Sequence, residues 1–251
     1  MTVGPSAYWY LTRSSGVVAL VLLTVSLAIG VLDVARVGGR RWPRFVIDGV
    51  HRTASLLAVV FLVVHIATAV LDTFAPISLL DVFVPFTGTY RPVWLGLGAL
   101  ASDLLIAVAL TSIARGRLGH RAWRATHWLA YACWPVAVVH GLGTGSDVTQ
   151  VWLEAITAVC VLVVLAAVGA RVAVGWPDHR RVRVTAIGLV AAFAAGLGLW
   201  LPGGPLGAHW ARRSGTPASL LAPSTTATRS PAPVAGLTVE AGRTVEAGRA
   251  A

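Results

Sequence analysis

Four histidines stand out in this chain by their surroundings. His51, His65, His127 and His140 all lie within apolar stretches or at their ends. His51 and His65 are fourteen positions apart, and His127 and His140 thirteen. On a helix, fourteen positions bring His51 and His65 within roughly 40° of one face and set them roughly 21 Å apart along the axis. Neutral imidazole is a ligand for haem iron, zinc, copper and nickel. Two facing imidazoles with no carboxylate or thiolate suit the two axial positions of a haem. A tetrahedral zinc would need two further ligands at each site. With both axial positions filled, no position is left for oxygen, which favours electron transfer over ligand activation. The plainer alternative is that such a histidine only bonds a neighbouring helix. Four of them in matched positions argue against it, because intramembrane ionisable residues are costly.

The elements that must position these residues are apolar helices. Of 251 residues 56% are hydrophobic and 12% charged, about half the charged fraction of a soluble domain. Mean hydropathy is +0.76. The fold class expected is all-α, a polytopic membrane protein built as a six-transmembrane-helix haem-binding bundle. The net charge of +10 falls in short loops between apolar spans, so it marks topology and excludes a nucleic-acid binder. Cys133 and Cys160 lie inside apolar runs and form no CxxC or CxxCH motif; they read as small core residues.

The expected organisation is an outer N-terminal segment (1–15), a six-helix domain (16–202) and a disordered extracytoplasmic tail (203–251). The spans are expected near 16–34, 51–73, 93–113, 125–142, 151–174 and 184–201. The loops after the first, third and fifth are rich in arginine, and those after the second and fourth nearly lack it. The positive-inside rule then puts the basic loops in the cytoplasm and both termini outside a cell membrane. From about residue 214 the chain turns to Ala, Pro, Thr, Ser and Gly and ends in a doubled TVEAGR. Such a stretch buries too little apolar surface to offset its ordering entropy.

The second and fourth spans both run from inside to outside. His51 and His127 therefore share the inner depth, and His65 and His140 the outer. One angle resists: thirteen positions on an ideal helix leave His140 roughly 140° from His127. Pro135 lies between them, and a kink there is expected to re-aim His140.

The spacings His51-x13-His65 and His127-x12-His140, with the segments YLTRSSGVVALVLLTVSLAIGV and RRWPRFVIDGVHRTASLLAVVFLVVH, resemble the ferric reductase-like transmembrane domain. Ferric reductases, NADPH oxidases and the haem-bearing membrane subunit of the bacterial methionine sulfoxide reductase system share that domain. The segments are most similar to bacterial members. The resemblance spans about residues 8–202. It implies two haem b groups, His51 with His127 inside and His65 with His140 outside, carrying electrons outward. It also marks a departure, since no flavin- and NAD(P)H-binding module follows the last span here. The donor is then expected to be a separate flavoprotein or a quinol, and the acceptor an extracytoplasmic one. The chain would be an oxidoreductase subunit rather than a complete reductase.

Other residues fit this frame. Arg52 and Arg124 flank the inner site, and Arg13 and Arg91 the outer one, where a guanidinium fork suits haem propionates. Asp103, in mid-span, would carry protons, accept a hydrogen bond from a ligating histidine, or pair with an arginine. His120, His179 and His209 lie in loops, where solvated side chains are the default. Two rival readings stay open at this level: a transporter that handles protons or metal ions through these histidines and Asp103, and a single-haem anchor for a partner reductase.

Overall fold

The computed structural model describes residues 6–35, 43–145, 150–174 and 179–221. Most of those residues are helical, with no strand among them. The long helices are α1 (Ala7–Ala35), α2 (Arg44–Leu71) and, after a short α3 (Leu79–Phe83), α4 (Pro92–Ile113). Then come α5 (Arg115–His127), α6 (Ala130–Thr144), α7 (Val151–Val174) and α8 (Arg180–Gly203), with one-turn helices α9 (Trp210–Arg213) and α10 (Ala218–Leu221) closing the described part.

Five of these helices, not the expected six, are long and apolar enough to cross a membrane: α1, α2, α4, α7 and α8. The protein is a multi-pass helical membrane protein on this ground. The expected fourth span is divided. Its first residues finish α5, a helix formed by what read as a basic loop, and the rest is α6, only 15 residues long. A helix of 15 residues reaches about 22 Å, short of a hydrocarbon core of about 30 Å. The division comes from a tighter turn: Leu129 N donates to Thr126 O at 2.9 Å, Tyr131 N to Trp128 O at 3.0 Å and Ala132 N to Leu129 O at 3.0 Å. These three-residue bonds advance the chain by about 120° per residue instead of 100°. Pro135, with no N–H to give, follows inside α6. The re-aiming of His140 expected from Pro135 alone therefore begins seven residues earlier, at Trp128.

The expected first span also starts sooner, with α1 membrane-competent from Ala7 to Asp33. α1 packs along α2 and α7, and α4 along α6, whereas α2 and α6 hardly approach each other. Small and polar residues let the paired helices come close, as membrane helix packing requires. Ala28, Ala54, Ala58, Ala99 and Ala101 are buried. Thr12 Oγ1 donates to Thr68 Oγ1 at 2.9 Å, Trp134 Nε1 to Thr24 Oγ1 at 2.9 Å, and the Cys133 thiol to Ala101 O at 3.3 Å. Both cysteines are buried and free, as expected.

At the end of the bundle that holds His65, the chain after α8 folds back instead of continuing as a tail. Trp94, Trp200 and Trp210 stack together, with ring centres 5.1 Å apart for Trp94 with each of the others. Trp210 Nε1 donates to Gly143 O at 3.1 Å. The start of the expected tail, 203–221, thus belongs to the folded part. Its remainder, with the doubled TVEAGR, lies outside the described residues.

The loop between α2 and α4 is held by a capping box at α3. Asp81 Oδ2 accepts from Ser78 N at 2.8 Å and from Ser78 Oγ at 2.9 Å, and Thr87 Oγ1 donates to Asp81 Oδ1 at 3.2 Å. The Ser78 backbone N–H chiefly, against the opposing effect of burial and with the Ser78 and Thr87 hydroxyls adding, holds this carboxyl below its ordinary range. A depressed carboxylate stabilises above its unfolded value of about 3.9 and loses that contribution as pH falls through the folded one. Proteolysis within 72–91 is expected to stay slow and constant from pH 7 to 5 and to quicken below 4. In Asp81→Asn it should be faster at pH 7 and lose most of this pH dependence.

Candidate functional site

α1 supplies the first half of the site through its backbone. His65 Nδ1 lies 2.7 Å from Thr12 O, and His51 Nδ1 lies 2.9 Å from Ser26 O. A carbonyl only accepts, so each Nδ1 carries the proton and each Nε2 keeps its lone pair. On α4, the Trp94 carbonyl does the same for His140 Nδ1 at 2.8 Å. An N–H···O=C bond of this kind fixes the ring and raises the basicity of the other nitrogen, as in metal-binding histidines.

One rule explains how an imidazole reaches a carbonyl already engaged inside a helix. Each accepting carbonyl is followed four residues later by glycine: Thr12 by Gly16, Ser26 by Gly30 and Trp94 by Gly98. A Cβ on Gly16 would sit 2.9 Å from His65 Nδ1, one on Gly30 would sit 3.3 Å from His51 Cε1, and one on Gly98 would sit 2.5 Å from His140 Nδ1. The three glycines are the floor against which three histidine rings lie. Sequence reading missed them. The signal was present, because Gly16 and Gly30 repeat the fourteen-residue spacing of His51 and His65 on the antiparallel helix.

The rings meet in two pairs. His51 and His127 have centres 6.3 Å apart with planes at 65°, and His65 and His140 have centres 6.3 Å apart with planes at 85°. Imidazole nitrogen binds a metal at about 2.0–2.1 Å, and the ring centre lies about 1.1 Å behind it, so two rings sharing one ion from opposite sides stand about 6.3 Å apart. Both pairs have that spacing. Among the described residues no three His, Cys, Asp or Glu side chains gather as a metal site. The donor set at each level is therefore two imidazoles, the set for axial ligation of a haem rather than for a tetrahedral ion. A cavity of ≈ 320 Å³ opens beside His65 and His140, between α2 and α6. It is walled largely by apolar and small side chains, including Ala58, Ala99 and Ala137. These residues fit a planar, largely apolar group held through its metal.

The expected accessory residues divide. Arg13 lines this cavity, with its guanidinium 4.0 Å over the Trp9 ring. Arg91 does not serve it. Arg91 is 3% exposed, and its guanidinium donates to Thr216 Oγ1 at 2.9 Å, Thr144 O at 2.9 Å and Gly143 O at 3.3 Å. That side chain fastens the segment after α8 to α6. Arg52 and Arg124 are exposed. Asp103 is part-exposed and does not line the cavity, and each anchored histidine uses a backbone carbonyl instead. Arg115, not anticipated, lies 4.4 Å over the Trp123 ring, which stacks 5.0 Å from His127. His120, which lies on α5 and not in a loop, and His179 and His209 are exposed, as expected.

Residues 15–138 match the family model described as the ferric reductase like transmembrane component. No curated protein and no solved structure matches the chain.

Proposed function

This chain belongs, over residues 15–138, to the ferric reductase-like transmembrane family, and on that premise we propose that it is a membrane cytochrome carrying electrons through two bis-histidine haem b groups. The observation that carries the proposal is the pair of imidazole couples, each 6.3 Å between centres. A haem bound at each level supplies one-electron chemistry. His51 with His127 would hold one such group, and His65 with His140 the other. The carbonyls of Ser26, Thr12 and Trp94 hold the Nδ1 proton and so present Nε2. Around a group held by His65 and His140, the largely apolar cavity walls would limit the reorganisation that electron transfer demands.

Direction follows from charge. Arg115, Arg117, Arg121 and Arg124 lie on α5, at the end that carries His127. The positive-inside rule makes that end cytoplasmic and the His65–His140 end extracytoplasmic. With haems held at both levels, His51 and His127 would stand at the end facing a flavoprotein or quinol donor, and His65 and His140 at the end facing an outer acceptor.

The test is composition and colour. Protein purified from haem-replete cells should be red, show a reduced b-type spectrum and hold about two haems per chain. A colourless preparation would sink the proposal.

A further inference from the structure

Two helix ends meet at His140, and the segment after α8 holds both. His140 Nδ1 donates to Trp94 O in the first turn of α4, and His140 itself lies one turn before the end of α6. At the α4 end, the Trp94 indole packs against Trp200 and Trp210. That helix starts from Arg91, whose backbone is left-handed at φ 42 and whose N–H donates to Gly215 O at 3.0 Å. At the α6 end, the last turn of a helix leaves carbonyls without partners inside it. Trp210 Nε1 donates to Gly143 O at 3.1 Å, and the Arg91 guanidinium donates to Gly143 O at 3.3 Å and Thr144 O at 2.9 Å. Arg91 Nε donates to Thr216 Oγ1 at 2.9 Å. The two ends also touch each other, since a Cβ on Gly143 would collide with the Trp94 ring.

We propose that residues 210–216 form a clasp that sets the aim of His140, with Trp210 and Arg91 as positioning residues for the outer haem. The inference rests on the two-haem reading above. Trp210 engages both helix ends at once: its ring backs Trp94, and its N–H holds the turn that follows His140. Arg91 ties the same turn to the segment from within, and it is almost fully buried. Its fork reaches one hydroxyl and two carbonyls together, which the single ammonium of a lysine does not match. Without these contacts the Trp94 carbonyl and the His140 ring lose the register that keeps them 2.8 Å apart. An Nδ1–H···O=C bond makes imidazole more basic, and a more basic ligand favours ferric iron. The clasp therefore holds the outer haem at a lower potential than an unanchored His140 would give it. The inner level is outside its reach, because His51 is anchored on α1 through Ser26 O and His127 stacks on Trp123.

The experiment is an equilibrium redox titration of the haem-loaded full chain, followed at the b-type band. A His51→Ala background, which keeps only the outer haem, and a His65→Ala background, which keeps only the inner, assign the two midpoints. Trp210→Leu and Arg91→Lys should each raise the outer midpoint and leave the inner one in place. Trp210→Phe, which keeps a ring against Trp94 but loses the N–H, should raise it by less than Trp210→Leu. Thr216→Val, which takes one acceptor from Arg91, should raise it by less than Arg91→Lys. An outer midpoint that Trp210→Leu and Arg91→Lys leave unmoved would overturn the proposal, as would an inner midpoint that shifts equally. If those two changes yield no haem-loaded protein, Trp210→Phe and Thr216→Val decide in their place: an outer midpoint raised alone upholds the clasp, and any other result overturns it. A wild-type chain that binds no haem fails at the earlier step, visible as the missing b-type band, and overturns the two-haem reading with it.

Discussion

Gly98→Ala should cost the protein its outer haem. The added Cβ would lie 2.5 Å from Nδ1 and 2.9 Å from Nε2 of His140, distances that no settled contact tolerates. The ring has little room to retreat, because Nδ1 is bound to Trp94 O at 2.8 Å one turn earlier. Trp94 is itself wedged between Trp200 and Trp210. Overpacking of this kind typically costs about 1–3 kcal/mol. Here the simplest relief is for His140 to leave its carbonyl and lose its aim. Haem per chain is expected to fall by about half, with the inner haem spared. Gly16→Ala, at 2.9 Å from His65 Nδ1, should lose part of the outer haem, and Gly30→Ala, at 3.3 Å from His51 Cε1, little of the inner. Pyridine haemochrome assays of the three variants should fall in that order. Equal losses would show that the glycines do not act through ring clearance.

Removing a histidine should act by level and not by helix. His65→Ala and His140→Ala are each expected to remove the same midpoint, and His51→Ala and His127→Ala the other. Combining His65→Ala with His140→Ala should cost no more haem than either alone, because one absent axial ligand already opens the site. Combining His65→Ala with His51→Ala, on one helix but at two levels, should leave none. If instead the α2 double change spared a haem, the pairing across α2 and α6 would be wrong.

The helices and the facing of the histidines were legible because both rest on long-range regularities. Apolar length marks a membrane helix, and loop arginines give it direction, so residues at matched depth can be paired without knowing any contact. What stayed hidden depends on single atoms. The turn at Trp128 and Leu129 leaves no mark in hydropathy, since both residues keep right-handed backbone angles. The glycines of α1 and α4 looked like ordinary membrane-helix residues, and only the rings lying on them reveal their use. Arg91 read as a loop arginine able to meet a propionate. Its burial under Thr216 and the α6 carbonyls depends on a segment whose composition suggested no fold at all.

The glycine spacing also decides which parts can move. α1 and α2 are pinned at two points, Thr12–His65 and Ser26–His51, roughly 21 Å apart at 1.5 Å per residue. Two separated pins forbid sliding and rocking, so this half is a rigid ruler that any shift would misalign at both ends together. α4 and α6 share one such pin, at Trp94–His140. Beyond it, toward the tight turn at Trp128, His127 Nδ1 has no such hydrogen bond among the described residues, and its ring stacks on Trp123 instead. Of the four imidazoles, then, the one without such a pin is His127, at the end proposed above to face the electron donor.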